Sequence, residues 1–339
     1  MPNISLIIIS ILISLNATAA NFNLDTGNAA TSPKYNKTLI NAIDVADERI
    51  IGVGIHGIII YSDDNGENWH QANVPTTLTL TDIDCVTEYL CWATGHDALI
   101  LKSQDKGENW IKQFEDAIFD APLLSISMYD SMSGIAVGAF AKALGTVDGG
   151  NTWNEFYITE DEFQPHINTI IVDENYAYAA GELGNFYVSA DKGKNWKLFD
   201  TGYTGSIWAS SILSSNTLLL LGMSGNIILT NSTSADNYDF KIYNNGIKNT
   251  LTSGKILTNG NIAVSGLGGV ISIVDLNNKK NISTCVRQDR LGNTGIIELS
   301  NNKLLVAGEK GLRVHDMQEC YLTSLDTVSV NTWISKSIN

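Results

Sequence analysis

Positive charge is scarce in this chain. Its 339 residues carry 21 Lys+Arg against 36 Asp+Glu, a formal net charge of −15. Nonspecific nucleic-acid binding needs clustered cations to displace counterions, so nucleic acid is excluded as a partner. Charge of either sign is sparse: 17% of residues are charged while 44% are hydrophobic, which excludes intrinsic disorder. Only five prolines are present, and the 29 glycines follow no collagen-like period, so proline-rich linker and collagenous classes are excluded. Long apolar runs are also missing. Leu218 to Leu221 and Ile227 to Leu229 are only strand-length. No segment beyond the first twenty residues shows an amphipathic helical period.

Those first twenty residues are the exception in composition. Met1 to Ala20 contains no charged side chain, and Ile4 to Leu15 is apolar except for Ser10 and Ser14. That stretch is short of the roughly 20 residues a membrane span needs. The small residues Ala17, Thr18, Ala19 and Ala20 then form an A-x-A-like cleavage site. The segment 1–20 reads as a secretory signal peptide, with 21–339 as the mature domain, exported to the periplasm or the extracellular space. The first cysteine is Cys85, so a lipid-modified N-terminus is not expected. An exported chain with four cysteines suggests disulfides. Cys85 and Cys91 fall on adjacent strands of one expected hairpin, and Cys285 and Cys320 occupy outer positions of consecutive repeats. Buried free thiols remain the alternative for each pair. Neither pair has the C-x₂-C spacing of a zinc site, and no metal or cofactor site is expected.

What organises the chain is a repeat. Ser62 to Trp69 reads SDDNGENW, Ser103 to Trp110 SQDKGENW, Thr146 to Trp153 TVDGGNTW and Ser189 to Trp196 SADKGKNW. The shared pattern is S/T-x-D-x-G-x-x-W, with Trp-to-Trp spacings of 41, 43 and 43. A second marker, an apolar run ending in Gly, recurs at Gly54, Gly95, Gly138, Gly181, Gly222, Gly266 and Gly308. Seven repeats result. Each reads as four short strands; in the first these are Leu39 to Val45, Ile50 to Gly54, Ile58 to Ser62 and Trp69 to Ala72. Four antiparallel strands in about 42 residues are one blade of a β-propeller, so the expected fold is all-β, a seven-bladed propeller filling 21–339 as one domain. Either Asn21 to Thr26 or Tyr321 to Val330 is expected to complete the blade that closes the ring.

The motif residues have a structural reading. Asp64, Asp105, Asp148 and Asp191 can accept backbone N–H groups of the turn between third and fourth strands. Gly66, Gly107, Gly150 and Gly193 supply positive φ, and Trp69, Trp110, Trp153 and Trp196 return the chain to the sheet. Repetition around the ring argues against catalysis, since a catalytic site breaks symmetry. Asp63 to Asn68 lacks the alternating ligands and bidentate Glu of a calcium-binding EF-hand loop. Repeats five to seven lose the motif Trp, and aliphatic packing is expected there.

This S/T-x-D-x-G-x-x-W motif is the Asp-box, or bacterial neuraminidase repeat. The fuller pattern, from Gly54 through Trp69 and from Gly181 through Trp196, resembles the seven-bladed photosystem II stability/assembly factor family. The resemblance covers all seven repeats, most strongly the first four. It implies an exported, non-catalytic scaffold that holds membrane-protein subunits during assembly. The chain departs from photosynthetic members, which carry an arginine-rich patch: its only arginines are Arg49, Arg287, Arg290 and Arg313, scattered among repeats one, six and seven. The fold transfers with the resemblance; the photosystem role does not.

In a propeller the turns between second and third strands share a face with the loops joining blades. Those turns vary most between repeats: His56, His96 with Asp97, Phe140, Glu182, Met223, Leu267, and Glu309 with Lys310. Variation on a constant scaffold marks a recognition surface. Of these, His56, His96, Asp97, Phe140, Glu182, Glu309 and Lys310 are the candidate partner-binding residues. The loop Tyr157 to His166, with Glu160, Asp161 and Glu162, lies on the same rim, as do Phe119, Asp120, Tyr203 and Trp208. His56 and His96 lack a third ligand at metal-binding spacing. The expected partner is a protein, a membrane-protein complex, bound by a monomer that is at most peripheral to the membrane. A sialidase-like glycoside hydrolase is one alternative, disfavoured because no Arg-Ile-Pro occurs and three substrate arginines must come from four. An envelope carbohydrate- or peptide-binding module is another.

Overall fold

Runs of two to nine residues cut by Gly, Asn and Asp cannot grow into helices and pair as strands instead. The computed structural model describes residues 27–118, 121–234, 237–244, 246–276, 280–300 and 303–316. The expected signal segment 1–20, both expected closing segments and Cys320 lie outside the described residues.

The strands form seven antiparallel sheets, each in simple chain order. Blade 1 comprises Ile40–Ala46, Arg49–Gly54, Ile59–Ser62 and His70–Gln71, within a residue or two of the expected boundaries. Blade 2 comprises Leu80–Cys85, Cys91–Gly95, Ile100–Ser103 and Ile111–Phe114. Blade 3 comprises Leu123–Met128, Gly134–Gly138, Lys142–Thr146 and Asn154–Tyr157, and blade 4 comprises Ile167–Val172, Ala177–Gly181, Phe186–Ser189 and Lys197–Phe199. Blade 5 comprises Ile207–Ser214, Thr217–Gly222, Asn226–Ser234 and Asn237–Asn244. Blade 6 comprises Leu251–Ile256, Ile262–Gly266, Val270–Asp275 and Lys280–Val286; the described strands of blade 7 are Asn293–Leu299, Lys303–Gly308 and Gly311–Asp316. The chain is an all-β, seven-bladed propeller.

A single blade cannot bury both its faces, and the core accordingly sits between blades. One apolar cluster joins Ile51, Val53 and Ile59 of blade 1 to Ile83, Ala93 and Trp110 of blade 2. Equivalent clusters lie between every later pair, and Ile40 and Ile60 against Ala307, with Ile50 against Leu305, complete the ring between blades 7 and 1. Aliphatic packing serves blades 6 and 7, but blade 5 differs from expectation. It replaces the missing Trp with Tyr238 and Phe240, which meet Phe186 edge-on at ring-centroid distances of 5.7 and 5.5 Å.

Polar ties reinforce five of the seven joints at the second residue of the inner strand. Asn41 Nδ2 donates to Leu80 O (2.7 Å) and Thr81 Oγ1 to Leu123 O (2.7 Å). Asn168 Nδ2 donates to Ile207 O (2.8 Å), Thr252 Oγ1 to Asn293 O (2.7 Å) and Thr294 Oγ1 to Ile40 O (2.6 Å). The last of these closes the circle. Leu124 and Trp208 stand at the two remaining positions and make no such tie.

The recurrent glycine marker has a packing cause. A Cβ at Gly54 would collide with the carbonyl oxygen of Leu39, just before the inner strand. The same collision with a backbone carbonyl recurs at Gly95, Gly138, Gly181, Gly266 and Gly308, so only glycine lets the second strand approach there. Before blade 1, Ala29 N donates to Val74 O (2.9 Å) and Tyr35 Oη to Trp69 O (2.5 Å), which binds the entering chain to blade 1's outer edge.

Cys85 and Cys91 stand opposite each other in blade 2, with Cα atoms 4.1 Å apart, and form a disulfide. Cys285 is also disulfide-bonded.

A candidate protein-docking face

The S/T-x-D-x-G-x-x-W turns occupy one side of the ring. In the first, Ser62 Oγ donates to Asp64 Oδ1 (2.8 Å) and accepts from Gly66 N (2.9 Å). Asp64 also accepts from Asn68 N (2.8 Å) and Asn68 Nδ2 (2.7 Å), and Trp69 Nε1 donates to Gly66 O (3.0 Å). Ser103, Asp105, Gly107 and Trp110 repeat this pattern, as do Ser189, Asp191, Gly193 and Trp196. Thr146, Asp148 and Gly150 repeat it with Thr152 in place of Asn, and Trp153 is buried beside them. The Asn68 backbone and side-chain donors hold the Asp64 carboxyl down at about 2, and Asn195 holds Asp191 at about 2. Each carboxylate is engaged in holding its own turn. Arg49 sits on this side too, bound to Asp63 Oδ1 (2.6 Å) and Glu108 Oε1 (3.1 Å) and lying over the Tyr61 ring.

Through the middle runs a channel of about 580 Å³. Its wall at blades 1 and 2 carries Asp44, Asp82 and Asp84; Lys255 lines it from blade 6. These carboxylates reach across joints: Asp44 Oδ2 accepts from Cys85 N (2.8 Å), Asp82 Oδ2 from Ser125 Oγ (2.8 Å) and Ile126 N (3.0 Å), and Asp84 Oδ2 from Met128 N (2.6 Å). Burial pushes all three up, Asp82 to about 6 and Asp84, with the Asp44 charge adding, to about 7. Among the described residues no group of three or more His, Cys, Asp or Glu is arranged to hold a metal.

The opposite side carries the turns between second and third strands and the loops joining blades. His56, His96 and Phe140 are exposed there, as are Glu309 and Lys310; Glu182 is half-buried. Asp97 departs from the expected surface position: it is 6% exposed, and its carbonyl accepts Asp116 N (2.8 Å). Phe119 and Asp120 lie outside the described residues. The turns of blades 3 and 4 are bolted together. Phe140 N donates to His166 Nδ1 (3.0 Å), His166 N donates to Glu182 Oε2 (2.9 Å), and Glu182 N returns a bond to His166 O (3.0 Å). The line continues through Thr201 Oγ1 to Gly184 O (2.9 Å) and Tyr203 Oη to Met223 O (3.3 Å). Along it, Phe140, Phe163, Leu183, Trp208, Met223 and Leu267 are between 43% and 59% exposed. Phe163 falls in the loop Tyr157 to His166 expected on this rim, whereas Leu183 was missed by sequence reasoning. The signal for Leu183 was present, since it occupies the same turn position as Phe140.

The expectation of scattered arginines is corrected for two of them. Blade packing brings Arg287 and Arg313 to one carboxylate: Asp289 meets Arg287 Nε (3.1 Å), Arg313 Nη2 (3.5 Å) and Lys310 Nζ (3.6 Å). The bond from Arg287 holds Asp289 at about 2. Arg49 stays on the other side of the ring.

The architecture is that of a repeat scaffold of the propeller class, with an irregular rim of exposed apolar side chains on one side. A family model described as photosynthesis system II assembly factor YCF48 matches residues 61–319, and the chain belongs to that family. Among solved structures it is similar to YCF48 from Cyanidioschyzon merolae, at 14% identity and TM-score 0.66, covering 87% of this chain and 99% of that one. A structure described as YCF48 bound to D1 peptide aligns at 12% identity and TM-score 0.65, covering 85% and 98%. The WD40 β-propeller domain of Doa1 aligns as well, at 14% identity and TM-score 0.65, covering 85% and 94%, which reflects the shared fold. No curated protein matches the chain in sequence.

Proposed function

We propose that this chain is an exported, monomeric, non-catalytic scaffold that binds a protein partner, a subunit of a membrane-protein complex, on the side carrying Phe140 and Leu183. The observation that carries this reading is the set of exposed apolar side chains that blades 3 to 6 place on one side, with the turns of blades 3 to 5 fixed by backbone and side-chain hydrogen bonds. A rigid apolar strip ringed by polar groups is how a recognition surface differs from ordinary surface. Family membership supports it, since the relative solved with a D1 peptide binds a protein segment. His96 of blade 2 and Glu309 with Lys310 of blade 7 stand on the blades next to this strip, with His56 of blade 1 between them on the same rim. The photosystem itself is not part of the proposal.

The test is photocrosslinking in cells of the source, with a crosslinking amino acid placed at Leu183 or, separately, at Val147 on the other side. A discrete adduct with an integral membrane protein from Leu183 and none from Val147 is expected. Adducts only from Val147 would overturn the assignment of the face.

A further inference from the structure

The turns between second and third strands repeat one backbone state with different side chains. Their central residues His56, Asp97, Phe140, Leu183, Ser224 and Gly268 all have φ between 55° and 67°. This left-handed state suits Gly, Asp and small polar residues and is strained for bulky apolar ones. Blades 3 and 4 nevertheless place Phe and Leu there. Both point to solvent: Phe140 is 50% exposed and Leu183 59%. Neither side chain fills the core: Phe140 meets the His166 ring edge-on at a centroid distance of 4.9 Å, and Leu183 belongs to no core cluster, so little in the fold offsets the strain. Strain of this kind that persists on a rigid element marks a functional position. At blades 3 and 4 the exposed charges around the two turns are acidic, and the nearest exposed cation on a blade-joining loop of the strip, Lys248, lies between blades 5 and 6. Glu160, Asp161 and Glu162 are exposed beside Phe163, and Glu182 and Asp116 flank the two turns. The cation between them, Lys142, has a side chain 1% exposed and bound to Asp116 (3.4 Å) and Glu155 (3.0 Å).

We infer that Phe140 and Leu183 are the anchor of the docking face, and that they receive an apolar protein segment flanked by Lys or Arg. This rests on the docking reading above and specifies the partner's chemistry. An apolar segment with acidic flanks meets repulsion from Glu160, Asp161, Glu162 and Glu182. Anionic lipid headgroups are repelled for the same reason. The cations around Asp289 lie two to three blades away on the ring and do not offset the acidic rim at blades 3 and 4.

The experiment uses the full chain and two dye-labelled synthetic peptides. They share one four-residue apolar core, flanked by Lys in one and by Glu in the other, and binding is read as fluorescence anisotropy. The Lys-flanked peptide should bind at least about tenfold tighter. The difference should shrink as salt rises from roughly 0.05 to 0.5 M. Phe140→Gly and Leu183→Gly remove the side chains while suiting the backbone state, so each should weaken binding about tenfold with an unchanged melting temperature. Equal affinity, or preference for the Glu-flanked peptide, overturns the partner chemistry; if both peptides then still weaken with the glycine variants, the face stands as a docking surface. Binding that is indifferent to both variants, or absent for both peptides, overturns the anchor and the docking reading with it.

Discussion

Replacing Trp110 by Ala tests whether the motif tryptophans hold blades together. Trp110 is 4% exposed, packs in the cluster shared by blades 1 and 2, and donates from Nε1 to Gly107 O at 3.0 Å. Truncating a buried Trp to Ala removes its transfer free energy and leaves a cavity, a cost of about 3–5 kcal/mol. A domain of this size loses roughly 2–4 °C of melting temperature per kcal/mol, so the expected drop is roughly 6–20 °C. Trp110→Phe keeps most of the ring and loses the donor, which should cost about 1–2 kcal/mol. Trp196→Ala should cost less than Trp110→Ala, because Trp196 is only half-buried. Urea unfolding followed by far-UV circular dichroism measures all three. A Trp110→Ala loss below about 1 kcal/mol would refute the argument, because then the joint between blades 1 and 2 does not depend on this side chain.

Two further outcomes follow from the channel and the turns. Asp82 and Asp84 are raised to about 6 and about 7 in the folded chain, against a usual 3.8. Their stabilising contribution is therefore complete below about 4 and is lost as pH rises through about 6 to 7. Asp84→Asn should remove part of that decline, seen as a higher melting temperature than the parent at pH 8 but not at pH 4. Asp64 and Asp191 have the opposite sign: held at about 2, they contribute above 3.8 and lose that contribution as pH falls through about 2, which acid titration of the circular dichroism signal will show. Thr294→Val keeps the side chain's shape and removes the tie to Ile40 O; it should lower stability by about 1–2 kcal/mol in urea unfolding.

Much of the architecture was legible because it repeats. The motif at Ser62 to Trp69 and the glycine at Gly54 each answer to a local demand, a tight turn and a close backbone approach, and local demands leave the same residue in every blade. The strand boundaries of blade 1 followed from them to within a residue or two. Blade 5 was misread as aliphatic because Tyr238 and Phe240 sit on the fourth strand, shifted from where the motif Trp would stand. The grouping of Arg287 with Arg313 and Lys310 was hidden, since it depends on two blades meeting side by side and no sequence period encodes which loop ends face each other. Asp82 and Asp84 were not singled out in the sequence, because alternation of polar with apolar residues marks a strand without showing that its polar face lines a channel. Leu183 was not legible by type as a surface residue, because an apolar side chain beside a strand reads as core, yet it is exposed.

The five ties from the second residue of an inner strand run one way, from a blade to its successor, and the final one reaches back over 254 residues from Thr294 to Ile40. A chain made from its amino end therefore keeps blade 1 bare on one flank until the seventh blade has emerged. Completion is a single late event for the whole molecule, and any truncation upstream of residue 294 leaves two open flanks of apolar surface instead of a smaller stable ring.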